Sequence, residues 1–286
     1  MLRLIFLLFC ACVVTACAGT IYQLPQVTDA DVLAMQKKIS DNKKPLKVYK
    51  RTDTQYKKIT HDITKRLVKN AKPLCDHAGY TACHFEVDYN NKSTFNAYAS
   101  EGYKIVVFRG LLQHLKNNDE IAAVIAHEMG HHLAKHNEKT MQNATAGAAV
   151  SGILTAVILA ATNANNAYYN PYQDYQNQQT IENMMNLGAK LGVVTYSKEQ
   201  EQEADLLATY LLSRAGYDLK RAQNIMLVLS ESSGETETHR SAFLDTHPAG
   251  IERFVAWEKA IDEVKDNPEK LPYRKTVNAN KTTTMH

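Results

Sequence analysis

Five consecutive residues, His127-Glu128-Met129-Gly130-His131, supply two imidazoles and a carboxylate at a spacing suited to metal-assisted hydrolysis. Residues four apart share one face of an α-helix, so His127 and His131 can both turn toward a single ion. Glu128, the next position round, can reach a water held by that ion. The segment reads as a zinc-protease active site, although chance alone would place such a pentad in roughly one chain of this size in forty. Its setting adds weight: Asp119 and Glu120 are N-terminal helix signals, and Ile121, Val124, Ile125 and Met129 form an apolar stripe. The competing reading is a buried helix whose histidines only satisfy hydrogen bonds.

A second signal lies at Glu201-Gln202-Glu203-Ala204-Asp205, inside a helix predicted from about Lys198 to Arg214. Glu201 and Asp205 share a face, and Glu203 points away. Catalytic zinc takes three protein ligands and keeps one position open, so two histidines from one helix and a carboxylate from another would suffice. Glu201 is the third ligand on this reading. Asp205 then accepts the second ring N–H of a zinc-bound histidine and fixes its tautomer. Taken alone, the stretch from Glu199 to Asp205 would read as a solvated acidic face.

These two motifs, with Tyr196-Ser197-Lys198 just before the acidic helix, resemble the zinc metallopeptidase family that includes the CAAX prenyl proteases, HtpX and the periplasmic BepA and LoiP proteins. The likeness runs from about Leu46 to Lys265. It extends to Asn96-Ala97-Tyr98-Ala99 followed by Tyr103 to Leu112, to the helix Asp119 to His136, and to Asp245-Thr246-His247-Pro248 leading to Arg253. The resemblance places the third ligand on Glu201, in agreement with the spacing. It also implies that His247 can reach the zinc in place of water, as a regulatory fourth ligand. Without the resemblance, a histidine before proline is a turn residue. Arg253 is a candidate for orienting that segment or stabilising charge, against a plain surface cation. One departure stands out: many relatives carry Pro-Gly or Gly-Gly after the Asn96 to Ala99 segment, where this chain has Ser100-Glu101-Gly102. Gly102 can still supply the positive φ of a turn.

The implied chemistry is peptide-bond hydrolysis with one Zn2+ ion. Zinc lowers the pKa of a bound water to around 7, Glu128 acts as general base, and a further donor holds the oxyanion. Arg253 and Tyr196 are candidates for that donor. Tyr103 to Phe108 reads as a strand with Phe95 to Ala99 as its hairpin partner. Asn96, Ala97, Tyr98 and Ala99 would then form an edge able to pair with an extended peptide through its main chain. The plainer role for both strands is to roof the core.

Residues 1–16 combine Arg3 with an apolar run from Leu4, as in an export signal. Val14-Thr15-Ala16-Cys17 resembles a lipobox, which makes Cys17 the lipidated first residue of the mature chain; Ala18 in place of Asp directs such a product to the outer membrane. The alternative is an ordinary signal peptide cut near Ala18. With Cys10 and Cys12 in the removed segment, Cys75 and Cys83 remain as a disulfide pair for an oxidising compartment. Free thiols, or a second metal site with His77 and His84, are the alternatives.

The formal charge of +3 over 286 residues gives no case for nucleic acid. Residues 17–45 read as a tether and helix, 46–265 as one metallopeptidase domain, and 266–286 as a polar tail. Between the metal motifs, Ala144 to Ala161 is an apolar run of about the minimum spanning length, followed by a loop-like, Asn/Gln/Tyr-rich stretch from Asn163 to Gln179. A spanning segment there would put the acidic helix across the membrane from the histidines. A buried or membrane-touching helix and a mobile lid are therefore the expectation. The expected fold is α+β: a helix-rich zincin with a small β-sheet edge beside the site. The expected protein is an exported lipoprotein that degrades or processes damaged or misassembled envelope proteins, with protein or peptide substrates and envelope assembly partners. A chaperone-like assembly factor with latent protease activity, and a structural zinc protein with four permanent ligands, are the other readings.

Overall fold

The computed structural model describes residues 19–42, 45–140, 196–232 and 241–275, together with 176–183 and scattered positions between 142 and 185. The expected signal segment 1–16, Cys17 and most of the stretch from Asn163 to Gln179 lie outside the described residues. The chain divides into two compact units: Gly19–Ala134 with Tyr196–His286, and Lys135–Thr195 with Met1–Ala18. The first carries every residue of the expected metal site.

In that first unit, α1 (Asp29–Asn42) precedes α2 (Asp53–Ala78). α2 opens with a Thr52/Gln55 capping box and stops at Gly79, whose φ of 81° provides the left-handed cap. Its buried positions Tyr56, Thr60, Ile63, Leu67, Ala71 and Leu74 recur every three or four residues, which is the helical period. Ile59, partly buried, lies on the flank of this stripe. A disulfide joins Cys75, in the last turn of α2, to Cys83 ahead of the sheet.

Three short strands follow: β1 (Glu86–Asn90), β2 (Ala97–Ser100) and β3 (Lys104–Phe108), in the spatial order β1-β3-β2. β3 is central, parallel to β1 and antiparallel to β2 with Ala97 opposite Val107 and Ala99 opposite Ile105. The β2 to β3 hairpin turns through Gly102 at φ 73°, as its substitution for the usual family turn requires. A one-turn helix, α3 (Arg109–Leu112), leads to α4 (Asn118–Leu133), the helix of the HExxH pentad. The Asn117 side chain caps α4 by accepting from the Glu120 backbone N–H.

A one-sided apolar stripe understates α4, because every residue from Glu120 to Leu133 is buried. It runs through the middle of the unit, against α2, the β2 edge and α5 (Lys198–Arg214). Gly130 makes the closest of these approaches possible. A Cβ added there would lie 2.5 Å from the Ala204 carbonyl oxygen, so the second of the pentad's two variable positions is dictated by helix packing. α5 begins with a Ser197/Gln200 capping box at the expected boundary. Short helices α6 (Leu219–Ala222), α7 (Asn224–Ser232) and α8 (Ser241–Thr246) lead to α9 (Ile251–Val264), which packs on α5 through Trp257, Ala260 and Val264.

Two expectations change. Residues 266–275 do not behave as a polar tail: Tyr273 and Lys275 pair their backbones with Gln23 and Ile21, because burying Tyr22 requires a partner for each flanking amide. Glu203 does point away from the metal motif, but into the core rather than into water; it accepts the Tyr22 backbone N–H at 2.6 Å.

In the second unit, residues 136–140 and 176–183 are helical, as are the described positions between 142 and 159. Residues 176–179, expected as loop, belong to that second helical stretch. Among the described residues no helix is long and apolar enough to cross a membrane.

Candidate active site

The two histidines of α4 point to a common centre, where α5 supplies Glu201 and the turn after α8 supplies His247. His127 Nε2 lies 3.0 Å from His131 Nε2 and 3.3 Å from His247 Nδ1. Glu201 stands 3.3 Å from His131 Nε2, 3.4 Å from His127 Nε2 and 3.0 Å from His247 Nδ1. Donors around a tetrahedral zinc with bonds of about 2.0–2.1 Å are separated by about 3.3 Å. One ligand atom from each of the four side chains lies within 4.8 Å of the other three, close to the spacing a zinc centre needs, and all four residues are buried. The donor set of three nitrogens and one carboxylate suits zinc.

The supports of this centre are as specific as the donors. His127 Nδ1 donates to Asp205 at 2.8 Å, which leaves Nε2 free to bind metal. Arg253, from α9, donates to both oxygens of Asp205 at 2.8 and 2.9 Å. The same guanidinium lies 2.6 Å from Glu201 and donates to the Pro248 carbonyl at 3.0 Å. Arg253 thus ties both carboxylates to the turn carrying His247. This geometry makes it an orienting residue, with its donors committed behind the ligands rather than toward an oxyanion.

Burial raises the cost of charge on Glu201, yet the charges of Arg253, His247 and His127 hold its carboxyl well below the usual range. Asp205 is likewise held low against burial by Arg253 and His127. Burial disfavours the His127 cation, but the carboxylates of Glu201 and Asp205 outweigh it and push the group up to about 10. Both carboxylates are thereby kept ionised, as a cation site requires.

Glu128 differs from these carboxylates. It is fully buried, with the Ala99 backbone N–H and, at 3.6 Å, His247 Nε2 as its polar neighbours. Burial raises its pKa, offset only in part by the nearby histidines and the Ala99 backbone beside it. A carboxyl whose proton affinity is raised toward neutrality suits a general base that must later act as acid. When bound, zinc supplies a Lewis acid that polarises a carbonyl and acidifies water. Glu128 lies beside the donor set, 3.6 Å from His247 Nε2.

The β2 edge adjoins this base. The Phe108 N–H donates to the Asn96 carbonyl across the ladder. Antiparallel alternation then turns the polar groups of Asn96, Tyr98 and Ser100 toward β3, and those of Ala97 and Ala99 outward. The expected substrate edge from Asn96 to Ala99 is therefore a sheet edge next to Glu128.

Two aromatic contacts were not read from the sequence. Tyr196, considered there only as an oxyanion donor, stacks on His131 with ring centroids 3.8 Å apart. Phe243 stacks on His247 at 4.4 Å. The signal for Phe243 was its position four residues before His247, with the His247 N–H closing on its carbonyl.

A helix-rich fold built round this donor set defines a zinc metallopeptidase. The chain belongs to peptidase family M48, whose sequence profile matches residues 61–261. It is 32% identical to the metalloprotease LoiP of Escherichia coli K12 over 197 residues, covering 67% of this chain and 68% of that protein. It is 28% identical over 221 residues to the mitochondrial metalloendopeptidase OMA1 of Arabidopsis thaliana, covering 77% of this chain and 40% of the relative. It is 25% identical over 219 residues to the beta-barrel assembly-enhancing protease of Yersinia pestis, covering 75% and 40%. The chain thus spans about two fifths of the length of these last two relatives.

Proposed function

We propose that this protein is a zinc-dependent endopeptidase of the bacterial cell envelope that degrades or processes damaged or misassembled envelope proteins. His127, His131 and Glu201 hold the metal, Glu128 is the general base, and His247 occupies the fourth position when the enzyme rests. Lipid on Cys17 anchors it to the outer membrane. The observation that carries the catalytic reading is the Glu128 carboxylate, fully buried beside a complete zinc donor set. The envelope assignment draws on the lipobox at Val14 to Cys17 and on the likeness to LoiP and the beta-barrel assembly-enhancing protease. The test is metal analysis with casein cleavage on wild type and Glu128→Gln, and fatty-acid labelling and membrane fractionation on Cys17→Ser. A metal-free wild type, or equal cleavage by Glu128→Gln, would remove the peptidase reading; Cys17→Ser with unchanged labelling would remove the anchor.

One observation favours a second reading, a client-holding assembly factor with latent protease activity. His247 is in the donor set, and its Nε2 faces Glu128 at 3.6 Å, so both the fourth position and the base are engaged. A cellular phenotype that survives Glu128→Gln would support the holding role.

A further inference from the structure

Tyr98 is a large aromatic side chain left half in water on the shortest strand of the sheet. It is 39% exposed, whereas Ala97 on the same strand is completely buried. Alternation along β2 explains the contrast: Ala97 and Ala99 share the buried face of the sheet with Val107 and Ile105, while Tyr98 stands on the opposite face and Glu128 meets the Ala99 backbone. There its ring lies 6.0 Å from that of Phe108, which is almost fully covered. The two rings make a small aromatic platform along the free edge, supported from beneath and open toward any chain that pairs with β2. Sheet edges without a partner are normally blunted by charge or proline. This edge carries neither, and offers an aromatic in their place.

From this placement we propose that Tyr98 is a specificity-determining residue, which selects extended substrate segments bearing an aromatic or large aliphatic side chain at one fixed position relative to the cut. The inference rests on the endopeptidase reading above. A substrate strand on the outward amides of Ala97 and Ala99 alternates its side chains as β2 does. The residue opposite Ala99 turns inward beside Glu128. Its neighbour opposite Tyr98 turns outward, at the about 4.5–5.5 Å separation of cross-strand pairs, and meets the Tyr98 ring. Main-chain pairing is indifferent to sequence, so this contact selects where along an exposed strand the cut falls. Segments that alternate small and aromatic or aliphatic residues fit best, a pattern of β-strands that have lost their sheet.

The experiment is cleavage of a proteome-derived peptide library by the full-length, zinc-loaded protein, with cut sites read by mass spectrometry of new N-termini. Wild type should enrich Phe, Tyr, Trp or Leu by about threefold to tenfold at a single position. Tyr98→Phe should keep that profile and Tyr98→Ala should flatten it. Tyr98→Lys should shift it toward Asp and Glu, an outcome that impaired folding cannot mimic. An unchanged profile in Tyr98→Lys, or a wild-type profile with no apolar preference at any fixed position, would overturn the proposal while leaving the peptidase intact. Absence of any cleavage by wild type and by His247→Ala would overturn the endopeptidase reading and this inference with it.

Discussion

The two ring nitrogens of His247 engage the two halves of the chemistry: Nδ1 lies 3.0 Å from Glu201 among the metal donors, while Nε2 lies 3.6 Å from the Glu128 carboxylate. On the proposed reading, one imidazole would fill the metal's fourth position and face the base. If the open form is 1–10% of the population, removing the imidazole should raise peptidase activity by about 10- to 100-fold. His247→Ala should show this in a fluorogenic peptide assay at unchanged zinc content. A fall in activity would assign His247 to catalysis instead.

Glu128→Gln keeps the shape of the side chain and removes the base. Turnover should drop by about 10²–10⁴ while zinc stoichiometry and thermal stability stay near those of wild type. Loss of zinc in this variant would mean that Glu128 also helps hold the metal.

Arg253 braces two buried carboxylates and the His247 turn. Arg253→Ala leaves Glu201 and Asp205 without their cation and should cost about 3–5 kcal/mol in denaturant melts, with a zinc affinity about 10- to 100-fold weaker. Arg253→Lys should restore little, since a lysine cannot reproduce the two-point contact with Asp205. Full restoration by lysine would reduce the role to charge alone.

Gly130 lies where α4 meets α5 most closely. Gly130→Ala should destabilise the protein by about 1–3 kcal/mol and impair activity, since the relief of overlap moves Glu201 relative to the histidines. Chemical denaturation and zinc titration on the same sample would measure both effects.

In the metal-free protein, the carboxylates of Glu201 and Asp205 push His127 up to about 10. A group whose pKa is raised on folding contributes its stability fully below the unfolded value near 6.5, and loses it as pH rises through the folded value. Chelator-treated protein should therefore lose stability between about pH 6.5 and 10. Zinc must displace the His127 proton, so binding at pH 7–8 should release about one proton, measurable by calorimetry in buffers of different ionisation enthalpy. Zero net release would show that His127 is already neutral.

Much of the site was legible because helical spacing is a local property. Four-residue intervals placed His127 with His131 and Glu201 with Asp205, and capping residues marked the start of α5 correctly. The hairpin of β2 and β3 followed from its apolar runs and Gly102. What the sequence left open depends on contacts between distant segments. Nothing local shows that Arg253 will clamp Asp205 48 positions away, or that Glu203 will receive Tyr22 across 181. The full burial of α4 was hidden for the same reason: its polar face carries the ligands, so periodicity shows half of what surrounds it. The chain beyond Asp266 reads as polar, and only the structure shows that Tyr273 and Lys275 pair with residues 21–23.

The donors come from α4, α5 and the turn after α8, with His247 arriving 120 positions after His127. Such a centre works as a folding checkpoint. A chain that has assembled only its first helices owns half a ligand set and a base with nothing to activate, so it cannot cut its neighbours or itself. Hydrolytic capacity would arise only when α5 brings Glu201 to the two α4 histidines, and chelation would withdraw it.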